Sequence, residues 1–157
     1  LANQGQGMIY SMNFGNGGTS VDPTGIITYL SPNSTGTNAS LYNQTYTKVI
    51  DDNSINNTDP TRNKIETRHV SGTNYTDIVA TCLLDYGEPS GQDALDNATS
   101  SSSLYVFDEL GLVSYATSGT GRLLTHVIFH PVQKSLNRLI QIDYTVRVQS
   151  LTGFNEA

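Results

Sequence analysis

The sequence predicts an all-β protein, an antiparallel β-sandwich or jelly roll of roughly seven to nine strands joined by long polar loops. Three observations predict it. The closing segment from Leu139 alternates strictly. Ile140, Ile142, Tyr144, Val146 and Val148 fall on one face, and Gln141, Asp143, Thr145, Arg147 and Gln149 on the other. That is the period of a strand with one dry and one wet face. Ser, Thr and Asn supply 49 of the 157 residues, and such side chains bond their own backbone in preference to a helix. The 14 glycines supply turns between short strands. Length argues for a single domain, residues 1–157, with an Asn/Ser/Thr-rich loop region over about 31–62.

The elements follow in order. Met8–Phe14 is a first strand, closed by the turn Gly15-Asn16-Gly17-Gly18. Ile26–Leu30 is a second, bounded by Gly25 and Pro32, and a third short strand falls near Tyr46–Ile50. Lys64–Val70 sets Ile65, Thr67 and His69 on one face and Glu66 and Arg68 on the other. Asp77–Tyr86 is a continuous apolar run, as expected of a strand buried on both faces. Gly87–Ser103 is polar, with room for one or two helical turns over Gln92–Ala98. Leu104–Tyr115 reads as a strand kinked or bulged at Gly111. Ser118–Gly121 then closes a hairpin onto Leu123–Phe129, which Pro131 is expected to end.

Charge and composition narrow the function. A net charge of −6 disfavours binding to a nucleic-acid backbone. No apolar run is long enough for a membrane helix or a secretory signal, so neither membrane insertion nor export is expected. Cys82 is the one cysteine; it permits no internal disulfide and sits in an apolar run, as a buried inert thiol does. Between Val70 and Thr120 there are seven carboxylates and no Lys or Arg, whereas Arg122, Lys134, Arg138 and Arg147 follow. A chain divided in this way has the means to meet copies of itself, or a partner, acid to base.

The chemical candidates are weak. His126 and His130 are four apart, but they flank a β pattern in which four residues span about 13 Å, too far for one zinc ion. Asp51-Asp52, Asp93/Asp96 and Asp108-Glu109 are acid–base or calcium candidates by type alone. The run Asp51 to Asp59, with Asn53, Asn56 and Asn57, reads as Asx turns. No nucleophile elbow or phosphate loop is present. Tyr42, Tyr46 and Tyr75 are the candidates for stacking a sugar. No catalytic residue, cofactor or metal is assigned on these grounds.

From Ile78 onward the chain resembles a pattern in structural proteins of tailed bacteriophages. An apolar strand ends in Gly87-Glu88-Pro89-Ser90-Gly91-Gln92 and is followed by Asp108-Glu109-Leu110-Gly111-Leu112. An aliphatic strand then enters Phe129-His130-Pro131-Val132-Gln133-Lys134 before the closing strand. The residues that carry the likeness are Gly87, Glu88, Gly91, Glu109, Gly111, Leu112, Phe129, Pro131 and Lys134. Val113 replaces the aromatic usual after Gly-Leu, and residues 1–77 lie outside the resemblance. The resemblance implies a β-sandwich virion component without catalysis, most simply a capsid decoration or cement protein that binds the major capsid protein. It implies a homo-oligomer, dimer or trimer, assembled in the host cytoplasm and located on the capsid surface. The alternative is a tail fibre, collar, neck or baseplate accessory protein, including a carbohydrate-binding host-recognition module.

Overall fold

A computed structural model describes residues 8–33, 38–92, 103–117 and 121–151. The chain is all-β. Nine strands appear in order: β1 (Ile9–Gly15), β2 (Thr19–Val21), β3 (Ile27–Tyr29), β4 (Gln44–Val49), β5 (Lys64–His69), β6 (Tyr75–Leu84), β7 (Val106–Ser114), β8 (Val127–Gln133) and β9 (Ile140–Gln149). They form a four-stranded sheet in the order β4-β1-β7-β8, a three-stranded sheet β5-β6-β9, and a small hairpin β2-β3, with every pairing antiparallel.

The two larger sheets share one core. Met12, Phe14, Phe107, Leu110 and Leu112 from the first meet Ile78, Ala80, Cys82 and Leu84 from the second. The Phe14 ring lies 5.1 Å from Phe107 and 6.3 Å from Tyr46, centroid to centroid. Small residues face large ones across the second sheet, because Ala80 registers against Tyr144 and Cys82 against Ile142. Each large side chain withdrawn from water here contributes about 1.5–3 kcal/mol. The closing strand keeps its alternation: Ile140, Ile142, Tyr144 and Val146 are half-buried, their neighbours exposed.

Several local expectations are corrected. Thr19–Val21 is a strand too short and polar to read from the sequence; it pairs with β3. Gly111 makes no bulge, and its register against Asn13 is regular. It is glycine because a Cβ there would stand 2.4 Å from the Thr125 carbonyl oxygen and 2.5 Å from Leu123 Cδ1. The irregularity falls elsewhere, between Phe107 and Glu109 of β7, which register against Val132 and Ile128 of β8. Three residues of β8, Phe129 to Pro131, therefore bulge opposite Asp108. Pro131 does not end its strand: β8 runs through to Gln133. Proline is tolerated there because β8 is an edge strand and its register slips where the proline lies. Leu123 makes only an isolated bridge to Val113, and regular strand begins at Val127. The helical turn expected over Gln92–Ala98 lies outside the described residues, Gln92 excepted.

Candidate functional site

The ionisable residues gather on the outer side of β7. Phe107, Leu110 and Leu112 point into the core, while Asp108 and Glu109 both reach the loops that cover the sheet. Asp108, fully buried, accepts hydrogen bonds from the amide N–H of Gly18 (2.9 Å) and Thr19 (3.1 Å) and from the Thr19 hydroxyl (2.6 Å). It anchors the turn that follows β1. Gly18 fits there because a Cβ would lie 3.2 Å from the Asp108 carboxylate and 3.1 Å from Ile128.

Glu109 is equally buried. Its Oε1 accepts the Tyr42 N–H at 2.6 Å, and His126 Nε2 stands 3.6 Å from the same oxygen. His126 Nδ1 accepts the Asn33 N–H at 2.7 Å, which places the ring proton on Nε2. Among the described residues, Glu109 Oε2 and His126 Nε2 meet no hydrogen-bond partner. Burial pushes the Glu109 carboxyl above the usual carboxylate range, although the backbone amides of Tyr42 and Asn43 pull it down. Burial also pushes His126 below its ordinary value. Burial thus works against charge on both groups, and the pair bridges two loops through the Tyr42 and Asn33 amides. Both side chains have zero exposure.

The segment after β6 is held in the same manner. Glu88 Oε2 accepts from Lys48 Nζ and from the Tyr46 hydroxyl (3.0 Å), and Oε1 from the Asp85 N–H (3.3 Å). Burial, then the Glu88 charge, raises the Tyr46 phenol well above its usual value. Cys82, in the core beneath, is pushed up to about 12 by burial, which makes it a poor nucleophile. Lys134 is fully buried, and its Nζ donates to Gln92 Oε1 (3.0 Å), the Ser135 carbonyl (3.1 Å) and the Tyr86 carbonyl (3.4 Å). Burial lowers its pKa, opposed by Glu88 and Asp85. The Glu88–Pro89 peptide is cis, and Gly91 adopts φ +83°, with space for a Cβ closed by the Tyr105 hydroxyl at 2.9 Å.

Structure therefore places the residues of the phage-like pattern in separate posts. Glu88, Gly91 and Lys134 tie down one polar segment. Glu109 ties down the 38–43 loop, Gly111 lets the chain at Thr125 approach, and Leu112 is core. Phe129 and Pro131 lie on β8, Phe129 packed against the core. Nothing in the structure explains Gly87, around which a Cβ would meet open space. Lys48 and Gln92 were not singled out by sequence. A lone Lys facing inward from a short strand was the available signal.

The other candidates also separate. His130 Nδ1 meets the Tyr29 hydroxyl at 3.2 Å on the β2-β3 hairpin, away from the buried His126. Among the described residues no group of three or more His, Cys, Asp or Glu is placed to hold a metal. Residues 51–63 form Asx turns: Asp51 accepts from Asn53 N–H and Asp59 from Thr61 N–H. Asn63 pins that loop to β6 by accepting the Leu83 N–H at 2.8 Å. The three tyrosines make no common platform. The Tyr42 hydroxyl donates to the Ser31 carbonyl, Tyr46 serves Glu88, and Tyr75 lies under the Arg147 guanidinium at 3.8 Å. The acid-rich and base-rich segments meet within the chain through Asp77–Arg147 at 2.8 Å, while Glu88 of the acid-rich segment pairs with Lys48 of β4.

Two surfaces remain. Between β8 and β9 the sandwich opens into a nearly all-apolar groove of about 370 Å³, lined by Phe14, Phe107, Leu110, Phe129, Val132 and Ile142 among others. Both flanking strands are sheet edges. On the outer face of the three-stranded sheet, a shallow polar hollow of about 560 Å³ is lined by Lys64, Glu66, Arg68, Thr81, Gln141 and Asp143 with their neighbours. No family model, curated protein or solved structure matches this chain.

Proposed function

We propose that the chain is a structural component of a tailed-phage virion, in the first place a capsid decoration protein that binds the major capsid protein at junctions between subunits. The observation that carries this reading is the apolar groove between the unpaired edges of β8 and β9. An exposed strand edge beside apolar surface is a template for another chain. The buried carboxylates, His126 and Lys134 support it, since each is engaged in holding loops. Repeated over a shell, modest contacts per copy act together through effective concentration.

The test is electron cryomicroscopy of particles that carry the chain, beside particles lacking it. Density at capsid junctions, with shells that rupture at lower temperature when the chain is missing, is the expected result. Density confined to the tail would sink the capsid reading and leave the tail-accessory alternative. The polar hollow on the outer sheet favours one form of that alternative, a host-recognition module for a hydrophilic glycan. A glycan array separates the two, because a capsid decoration protein binds no sugar on it.

A further inference from the structure

We infer that β9 is a homodimerisation strand: a second copy of this chain adds its own β9 antiparallel to the free edge, with the two-fold axis at Thr145. Of the four edge strands of the two larger sheets, three are blunted in the ways proteins use against edge pairing. β4 and β5 are six residues long and carry Lys48, or Lys64, Glu66 and Arg68; β8 carries Pro131 and a register slip. β9 is ten residues long, has no proline, and pairs with β6 through all ten residues. Among the described residues nothing pairs with its other side.

Its sequence is self-complementary in one register. Antiparallel pairing through Thr145 sets Asp143 opposite Arg147 twice, Gln141 opposite Gln149 twice, and Thr145 opposite itself. On the inner face it sets Ile142 against Val148 and Tyr144 against Val146. Opposed residues must share a face, so the axis has to pass through a residue. Moving it to Asp143 or to Arg147 would oppose like charges, which is unfavourable. Arg147 is 52% exposed beyond its bond to Asp77, and Asp143 is exposed, with Gln141 Nε2 at 3.4 Å. The pairing also covers what one copy leaves open. Val148 is 54% exposed, and Ile142 is half-buried at the mouth of the apolar groove; each becomes the other's cross-strand neighbour. The two three-stranded sheets join into one of six. This interface goes beyond the virion reading and does not depend on it; it takes the β9 edge and leaves the β8 edge of the groove to a virion partner.

Analytical ultracentrifugation of the chain over roughly 1–200 µM is the first measurement, the concentration range in which a weak dimer registers. Wild type is expected at twice the chain mass, and Asp143→Arg to dissociate it by at least about tenfold in Kd. Arg147→Asp alone is expected to do the same. Mixing the two variants restores a dimer, because every cross-strand pair is then opposite in sign. For geometry, Thr145→Cys is expected to form a disulfide-linked dimer under mild oxidation, since only the axis residue faces its own copy at bonding distance. Gln149→Cys, placed roughly 26 Å from its counterpart by strand rise, should not. A monomer at all concentrations, failure of the mixture to associate, or equal cross-linking of the two cysteine variants would each overturn the inference.

Discussion

Strands β7 and β9 are nine and ten residues long, yet all nine of β7 are buried whereas β9 alternates between half-buried and exposed positions. The cause is position in the sandwich. β7 has a neighbour on each side, the shared core on one face, and the hairpin and the 38–43 loop on the other. β9 is an edge strand whose outer face meets water. Burial on two faces requires that polar groups on the outer side be satisfied by other parts of the chain. Asp108 and Glu109 Oε1 take their hydrogen bonds from residues 90 and 67 positions away. One strand is therefore held by long-range polar contacts and packing; the other presents a surface.

The largest break in that comparison comes from matched truncations. Leu112→Ala on β7 is expected to lower unfolding free energy by about 3–5 kcal/mol, because a fully buried side chain leaves a cavity in a covered sheet. Ile142→Ala on β9 should cost about 1–2 kcal/mol, since half-buried atoms return partly to solvent at the groove. Urea denaturation of both variants checks this, and equal costs would erase the distinction. Ile142→Asp is also destabilising, but its charge has a route to water that a charge at Leu112 lacks.

Carboxylates sharpen the same contrast. Asp108→Ala leaves two amides and a hydroxyl without their acceptor in a dry site, an expected loss of about 2–4 kcal/mol. Asp143→Ala, on the wet face of β9, should leave the unfolding midpoint of the isolated subunit unchanged within error. Comparable losses would mean that β9's outer face is not the solvated surface described above.

This contrast also governs what could be read from the residues alone. β9 was legible because a face exposed to water imposes a period of two on Ile140 to Gln149. β6 was legible as an apolar run buried on both faces, and Ile78 to Leu84 are buried apart from half-buried Thr81. The extent of β7 was nearly right, but its buried acids stood out only by type, as acid–base or calcium candidates, since their partners Gly18, Thr19 and Tyr42 lie far away in sequence. Pro131 misled for a related reason: whether proline ends a strand depends on whether that strand is an edge, and edge position is set by topology. Glu109 and Lys134 were singled out by resemblance, but a structural role for them needs the contacts of Tyr42, His126 and Gln92. The groove is made of residues from four strands, β1, β7, β8 and β9, and no local pattern announces it.

Acid titration gives a smaller effect with a definite sign. The raised Glu109 pKa means the folded state holds a proton that the unfolded chain releases above about pH 4.3. That stabilising contribution is present at lower pH and is lost as pH rises toward the folded value. Glu109→Gln removes the dependence while keeping an acceptor for Tyr42 N–H. The variant should gain on wild type as pH rises from about 4.3 toward the raised folded value. His126, lowered by burial, acts the other way: its contribution is complete above about pH 6.5 and fades below it. Parallel stability profiles for wild type and Glu109→Gln would show that the carboxylate is not held neutral.

The smallest effect belongs to β9's own ion pair. Arg147 binds Asp77 through two bonds of 2.8 and 3.1 Å and covers the Tyr75 ring, and the pairing lowers the Asp77 carboxyl below its usual range. Exposure and salt screening leave such pairs little net effect on folding. Arg147→Ala should therefore keep the thermal midpoint of the isolated subunit within roughly 2 °C of wild type, and raised salt should narrow the gap further. Association is a different matter, because the free edge of the strand meets water in the monomer and another chain in the dimer, with Arg147 beside Asp143 of the second copy. If the same substitution weakened self-association while leaving the subunit's melting unchanged, β9 would be doing what β7 cannot, presenting charge to a neighbour instead of spending it on the fold. A large fall in subunit stability would instead make Arg147 a structural tie like Asp108, and the two strands would no longer differ in kind.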